Sequence, residues 1–343
     1  MIKEKTTIQI LFWVKSGSTI GLGHLSRCRS LMIHFKRYSN CKILISTNKE
    51  ELVNEFLYHH EFSFQFVNIG SVNSEIDIVI VDDLYLLQVE KKKLRKIAKL
   101  LVCIDDEGDG ILDQDILIRP NLLNLKIPQY LQAYQYLTGK EYIILHPDFA
   151  HYETKEVKRN VNEIIICFGG SDQDQIIYRI IPILKKLDVD TCFHIVVGVA
   201  FKSREKLRKL LKSDLRFNMS VNLSNMAEAF FRSDVAIISG GMLLYEACAI
   251  GIPTMVICQN ESQENEAQVF DKKKAILNAG INQQVSDSII KKKIWEIVTD
   301  YPKRKKLSKY GKQLVSVNGA NRIVTKILEV YNNYESSYCN TTT

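Results

Sequence analysis

The feature that most restricts the fold is a series of short runs that are apolar nearly throughout. "IQILFWV", "IDIVIVDD", "LLVCIDDE", "EIIICFGGSD", "VAIISGG" and "PTMVICQ" lack the regular polar alternation of a half-exposed strand. A strand covered on both faces belongs in a parallel sheet with helices above and below. Between these runs lie segments with helical spacing, such as "HLSRCRSLMIHFKRY", "VEKKKLRKIAKL" and "QIIYRIIPILKKL". The alternation predicts an α/β chain built from strand–helix–strand units.

The rhythm breaks after the short strand "ILIRPN", and the charged, polar run from Glu153 to Asn162 reads as a linker. At 343 residues the chain is too long for one ordinary domain and right for two. The reading is two doubly wound α/β domains, residues 1–152 and 163–335, with a cleft between them. The last helical segment, "GANRIVTKILEVYNNY", is expected to return toward the N-terminal domain.

Composition removes several function classes. No window holds the ~18 uninterrupted apolar residues of a membrane span. The N-terminal apolar run lacks a cleavage pattern and reads as a first strand. The eight cysteines form no C-x-x-C pair and lie mostly in apolar runs, so reduced, buried thiols and a cytoplasmic location are expected. Net charge is +7, but the lysines sit in helical stretches and read as solvated faces, not a nucleic-acid surface. A mild positive field suits a small anionic substrate. Asp105, Asp106 and Glu107 are consecutive and do not face one way, so capping and loop solvation are expected of them and no metal site is assigned. Asp172 and Asp174 are expected to cap a helix.

Ligands of such sheets bind beyond the carboxyl ends of the strands. Three glycine clusters follow strands directly: Gly21/Gly23, Gly169/Gly170 and Gly240/Gly241. A strand–Gly–helix junction lets backbone approach an anion and aims a helix N-terminus at it, although plain tight turns use glycine too. The first cluster has Arg27 where a dinucleotide fingerprint needs its third glycine, which argues against NAD. His24 follows Gly23. It is either a general base at the site or a helix-terminal histidine bonded to backbone.

"IGLGHLSRCRSL", "ICFGGSD" and "AIISGGMLLYEACAIGIPTMVICQNESQENEA", with "VDD", "IDDE" and "DILIRPN" in order, resemble the UDP-sugar hydrolases of pseudaminic acid biosynthesis and their spore-coat polysaccharide relatives. More loosely the second half resembles lipid-linked N-acetylglucosaminyl transferases. The resemblance implies a GT-B-like fold, with two Rossmann-like domains facing an interdomain cleft. It implies UDP held in the C-terminal domain by Gly169, Gly170, Ser171, Gly240, Gly241, Glu246, Gln263 and Glu264, with Gly21 and Gly23 opposite. The N-terminal domain would hold the sugar through Arg27, Tyr85 and Tyr142, with His24 activating water. Lys15 stands where the family has an acid, Tyr85 lies one place late after Asp82-Asp83-Leu84, and Ser262 replaces an asparagine. Asp82 or Asp83 would then be the polar partner of His24. The implied substrate is a UDP-sugar, hydrolysed to free sugar and UDP by a monomer without cofactor, metal, nucleic acid or integral membrane segment. A glycosyltransferase using the same donor and a weakened nucleotide-sugar-binding protein are the alternatives.

Overall fold

A computed structural model of the chain describes residues 7–14, 22–57, 62–83, 86–106, 113–123, 133, 135–152, 155–188 and 190–341, with side chains to 336. They divide into two compact units. One comprises Met1–Ser16, His24–Pro147 and Asn318–Thr343; the other comprises Gly17–Gly23 and Asp148–Val317.

The first unit carries strands β1 (Ile8–Val14), β2 (Cys41–Ser46), β3 (Phe64–Phe66), β4 (Ile76–Asp82), β5 (Ala98–Ile104), β6 (Ile116–Arg119) and β7 (Gln135–Thr138). Its helices are α1 (Gly23–Tyr38), α2 (Glu50–Leu57) and α3 (Gln88–Ile97). The second unit carries β8 (Glu163–Cys167), β9 (Cys192–Val197), β10 (Phe217–Val221), β11 (Val235–Ile238), β12 (Thr254–Cys258) and β13 (Leu277–Ile281). With them go α4 (Ile176–Lys185), α5 (Arg204–Leu211), α6 (Met226–Arg232), α7 (Met242–Ile250), α8 (Glu261–Lys272), α9 (Asp287–Thr299) and α10 (Tyr301–Leu314). Helix α11 (Gly319–Thr341) ends the chain.

Every strand pair is parallel. The sheet orders are β3-β2-β1-β4-β5-β6-β7 and β10-β9-β8-β11-β12-β13. The apolar runs are explained by coverage on both faces: Ile10, Leu11 and Phe12 point alternately to either side of β1, and all three are fully buried. On one face of the first sheet Leu11, Val79, Val81, Leu101 and Leu117 form a core. In the second unit Ile164, Ile166, Ile237, Met255 and Ile257 pack with Ile177, Ile180, Ile181 and Leu184 of α4. Each such side chain stabilises its unit by about 1.5–3 kcal/mol.

In both sheets the strand order reverses around the first strand. β1 lies between β2 and β4, and β8 lies between β9 and β11. In an open sheet such a reversal opens a crevice at the carboxyl ends of the strands.

Residues from Asn318 belong to the first unit, as expected of the last helical segment, so the second unit ends at Val317. Helix α11 is fixed there by Tyr331, whose hydroxyl donates to Asp77 (2.9 Å), and by Lys99 Nζ, which bridges Asp77 (2.9 Å) and Glu335 (3.3 Å). A Cβ at Gly319 would lie 2.0 Å from the Ile143 carbonyl oxygen, so only glycine permits that approach. The charged run read as a linker is anchored within the second unit over its described part. Lys155 donates to the Phe231 carbonyl, Arg304 donates to the Lys158 and Arg159 carbonyls, and Asn162 N–H bonds Asp234.

Candidate functional site

In the first unit the two strands flanking the switch point deliver one cluster. Val14, the last residue of β1, pairs with Asp82, the last of β4. Helix α1 opens at Gly23, so His24 lies in its first turn and Arg27 one turn on, on the same face. His24 Nδ1 is 2.6 Å from Asp82 Oδ1. Arg27 grips the same carboxylate twice, through Nε to Oδ2 and Nη2 to Oδ1, each at 2.5 Å, and its Nη1 donates to Asp106 at 2.5 Å. Nη2 also lies 3.0 Å from His24 Nδ1.

These contacts assign the histidine tautomer. Asp82 is ionised: its burial works against the charge, but the Arg27 charge and the hydrogen bonds from Arg27 and His24 hold it well below the usual carboxylate range. The carboxylate can only accept, so Nδ1 carries a proton, and in the neutral ring the lone pair is on Nε2. Nε2 makes no hydrogen bond among the described residues, and the side chain is 17% exposed. The arrangement is an Asp–His dyad, a geometry that can orient a histidine for general-base chemistry.

The other acids of this rim have separate tasks. Asp83 accepts from Trp13 Nε1 (3.0 Å) and is not the partner of His24. Arg27 does not fit its expected sugar role: it is 4% exposed and its guanidinium is committed to two carboxylates. Burial opposes its charge, but Asp106 and Asp82 raise its pKa further. Asp105 and Asp106 were expected to cap or be solvated. Instead Asp105 is buried beside Arg119 (3.6 Å), and Asp106 holds Arg27. Burial, with Asp82 next, pushes the Cys28 thiol far up, so it is no nucleophile here.

In the second unit two glycine junctions flank the switch point, and they differ. After β8, Gly169 has φ +80°, and Asp172 closes the start of α4: Oδ1 accepts from Ile176 N–H (2.9 Å) and Oδ2 from Ile177 N–H (3.0 Å). Burial pushes Asp172 up to about 6 despite those two bonds. The capping expectation for Asp172 therefore holds. The picture of Gly169, Gly170 and Ser171 leading into an open helix end needs correction, because a carboxylate already occupies it.

After β11, Gly241 is the N-cap of α7 at φ +77°, and among the described residues no side chain caps the helix. Gln263 packs on this turn. A Cβ at Gly240 would lie 2.7 Å from Gln263 Cβ, so Gly240 is needed for packing as well as for any approach to an anion. Gln263 Oε1 accepts from Gln259 N–H (2.9 Å), while its Nε2 has no partner among the described residues. Helix α8 is a poorer anion site: Asn260 caps it at 3.0 Å, and Glu261 and Glu264 occupy its first turn. Glu264 Oε1 accepts from Asn278 (2.9 Å) and Gln268 (3.1 Å), both within the second unit. Glu246 is buried on α7, a turn beyond the open end.

The structure thus joins His24, Asp82 and Arg27, and separately Gly240, Gly241 and Gln263. Tyr142 is half-buried in a single turn after β7. Gly21 and Tyr85, with Lys15, Leu84 and Glu107, lie outside the described residues. Asp106, read from the sequence as a capping or solvated acid, instead accepts from Arg27; the signal for that contact was an acid just after a buried strand. Among the described residues no group of three or more His, Cys, Asp or Glu is set to hold a metal ion.

MurG of Acinetobacter baumannii matches the structure with a TM-score of 0.64 at 13% identity, over 94% of this chain and 99% of that one. A structure of S. aureus MnaA with UDP matches with a TM-score of 0.63 at 12% identity, over 95% and 97%. The chain has a GT-B fold. Within it, residues 164–323 match the glycosyltransferase family 28 C-terminal domain. The GT-B chain is also 28% identical over 331 residues to the spore coat polysaccharide biosynthesis protein SpsG of Bacillus subtilis (strain 168), covering 91% of this chain and 95% of that protein. Among the described residues no helix is long and apolar enough to cross a membrane.

Proposed function

We propose that this chain is a nucleotide-sugar hydrolase that cleaves a UDP-sugar, of the diacetamido class, to free sugar and UDP for a surface polysaccharide or nonulosonic acid. The observation that carries the reading is the Asp82–His24 dyad at the switch point of the first sheet, with Nε2 bonded to none of the described residues. His24 Nε2 takes a proton from water as the water oxygen bonds to the anomeric carbon. The bond from that carbon to the glycosyl oxygen breaks, and its electron pair leaves on the UDP β-phosphate. UDP is a good leaving group once its charge is held, so little acid assistance is required.

The second unit is the proposed UDP holder. The uncapped α7 terminus offers backbone N–H groups and the positive end of the helix to the diphosphate, and Gln263 Nε2 a further donor. Glu246 accepts from the ribose hydroxyls. Gly169, Gly170 and Ser171 contribute backbone alone, since α4 is closed by Asp172. The match to a glycosyltransferase C-terminal domain and the UDP in the MnaA structure support nucleotide-sugar use.

The same match favours a second reading, a glycosyltransferase with a hydroxyl acceptor in place of water. The deciding experiment offers the protein a panel of UDP-diacetamido sugars and measures UDP. Release without acceptor, lost in His24→Ala, supports the hydrolase. Release only after an acceptor is added establishes the transferase.

A further inference from the structure

The dyad leaves a question that the hydrolase reading does not answer. His24 Nδ1 has two neighbours of opposite demand: an acceptor, Asp82 Oδ1 at 2.6 Å, and a donor, Arg27 Nη2 at 3.0 Å. If Nη2 turned toward the ring, Nδ1 would accept, the proton would move to Nε2, and the base would be lost. What keeps Nη2 aimed at Asp82 is the rest of the guanidinium. Nε is bonded to Asp82 Oδ2, and Nη1 is bonded to Asp106 Oδ2, which fixes the plane at both ends. Asp106 is held in turn, since Asn121 Nδ2 donates to its carbonyl oxygen at 2.9 Å.

We propose that Arg27, anchored by Asp106, is a positioning residue: it grips both oxygens of Asp82 so that His24 stays in the Nδ1–H tautomer with Nε2 open. This rests on the reading of His24 as the base, but the assignment is of a proton's position and stands apart from any substrate. Three observations carry it. Arg27 is nearly fully buried, and for packing alone an apolar side chain of similar volume would serve there without desolvating a charge. Its arms reach two carboxylates at the ends of adjacent strands, β4 and β5, so the clamp spans the rim on which the base stands. Among the described residues Asp83 is engaged with Trp13 and Asp105 lies beside Arg119, and the acid bonded to Nη1 is Asp106.

The test is nitrogen NMR on full-length protein with labelled histidine, at a pH where the ring is neutral. The chain has seven histidines, and the signal missing from His24→Gln assigns residue 24. Wild type should show the Nδ1–H tautomer. Asp106→Ala changes a part-exposed side chain and should fold; it should shift the signal toward the Nε2–H form, and Asp106→Glu should restore it. With UDP-sugar, Asp106→Ala should lower kcat by about tenfold or more and leave KM near wild type. An unchanged tautomer ratio in folded Asp106→Ala overturns the positioning role. A wild type that leaves every UDP-sugar intact overturns the hydrolase reading instead, and the tautomer result still decides this one.

Discussion

The two units share the same order over six strands, to which the first adds β7 at its edge, and at the same place in that order they carry contrasting residues. At the rim of the first sheet charge is dense: Asp82, Arg27, Asp105 and Arg119 are buried and Asp106 is partly exposed, and Asp82 and Arg27 contact His24. At the switch point of the second, the strands end in glycines and the start of α7 is bare of capping side chains. A charged rim can fix a proton on one chosen nitrogen. A glycine rim can bring backbone donors against an anion. The difference teaches that a doubly wound sheet supplies the crevice, while the residues just after its strands decide which chemistry that crevice is suited to.

The sharpest way to break this comparison is to remove the proton acceptor. His24→Ala should lower turnover by about 10² to 10⁴, the usual worth of a general base, while UDP affinity in a binding titration stays near wild type. A large loss of UDP affinity would show that the two rims are not divided as proposed. Next in size is Gly241→Val. Its φ of +77° excludes a β-branched residue without strain, and the added side chain would stand at the open helix end. UDP binding should fall by tenfold or more, on the order of 1.4 kcal/mol or greater, with the fold retained by circular dichroism. Gly240→Val is a poorer probe, because its first clash is with Gln263. Smaller again is Glu246→Ala, which should weaken UDP binding by about 1–3 kcal/mol if the buried carboxylate accepts from the ribose.

Much of the fold was legible because burial on both faces writes itself into the chain as unbroken apolar runs. β7 was missed because "QYLT" is short, at an edge, and has only Leu137 buried. The anchored run near Lys158 was read as a linker because its hydrogen bonds come from residues far along the chain, such as Arg304. The site divides in the same way. Gly241 and His24 stand out by their place after a strand. The pairing of Arg27 with Asp106, 79 residues apart, depends on β4 and β5 being neighbours, and no local pattern records that. Which of Asp82 and Asp83 meets His24 was open for a related reason: successive residues of a strand point to opposite faces, and only the sheet order says which face α1 covers.

The smallest expected effect lies in how each unit responds to acid, and the signs are opposite. Asp82 titrates below its ordinary value in the folded protein, so its contribution to stability is present at neutral pH and is lost as pH falls through the acid range. Asp172 titrates at about 6 against an ordinary 3.8, so its contribution is fully present below about pH 4 and is lost as pH rises through 6. Hydrogen exchange of the two sheets between pH 4 and 7 should show Asp172→Asn flattening the response of the second unit alone. The same variant should leave UDP affinity nearly unchanged, because the end of α4 is closed in either case. A marked gain in UDP affinity would mean that Asp172 competes with phosphate and that the two glycine junctions of this unit are more alike than they look.

The central claim is that water, activated by His24, attacks the anomeric carbon of a UDP-sugar. It is tested most directly by running the reaction in water labelled with heavy oxygen and weighing both products by mass spectrometry. The account predicts UDP release without acceptor, the label in the sugar and none in UDP, with formation of the labelled sugar abolished or severely reduced in His24→Ala. Label in the UDP phosphate, or no release until an acceptor hydroxyl is supplied, would contradict it.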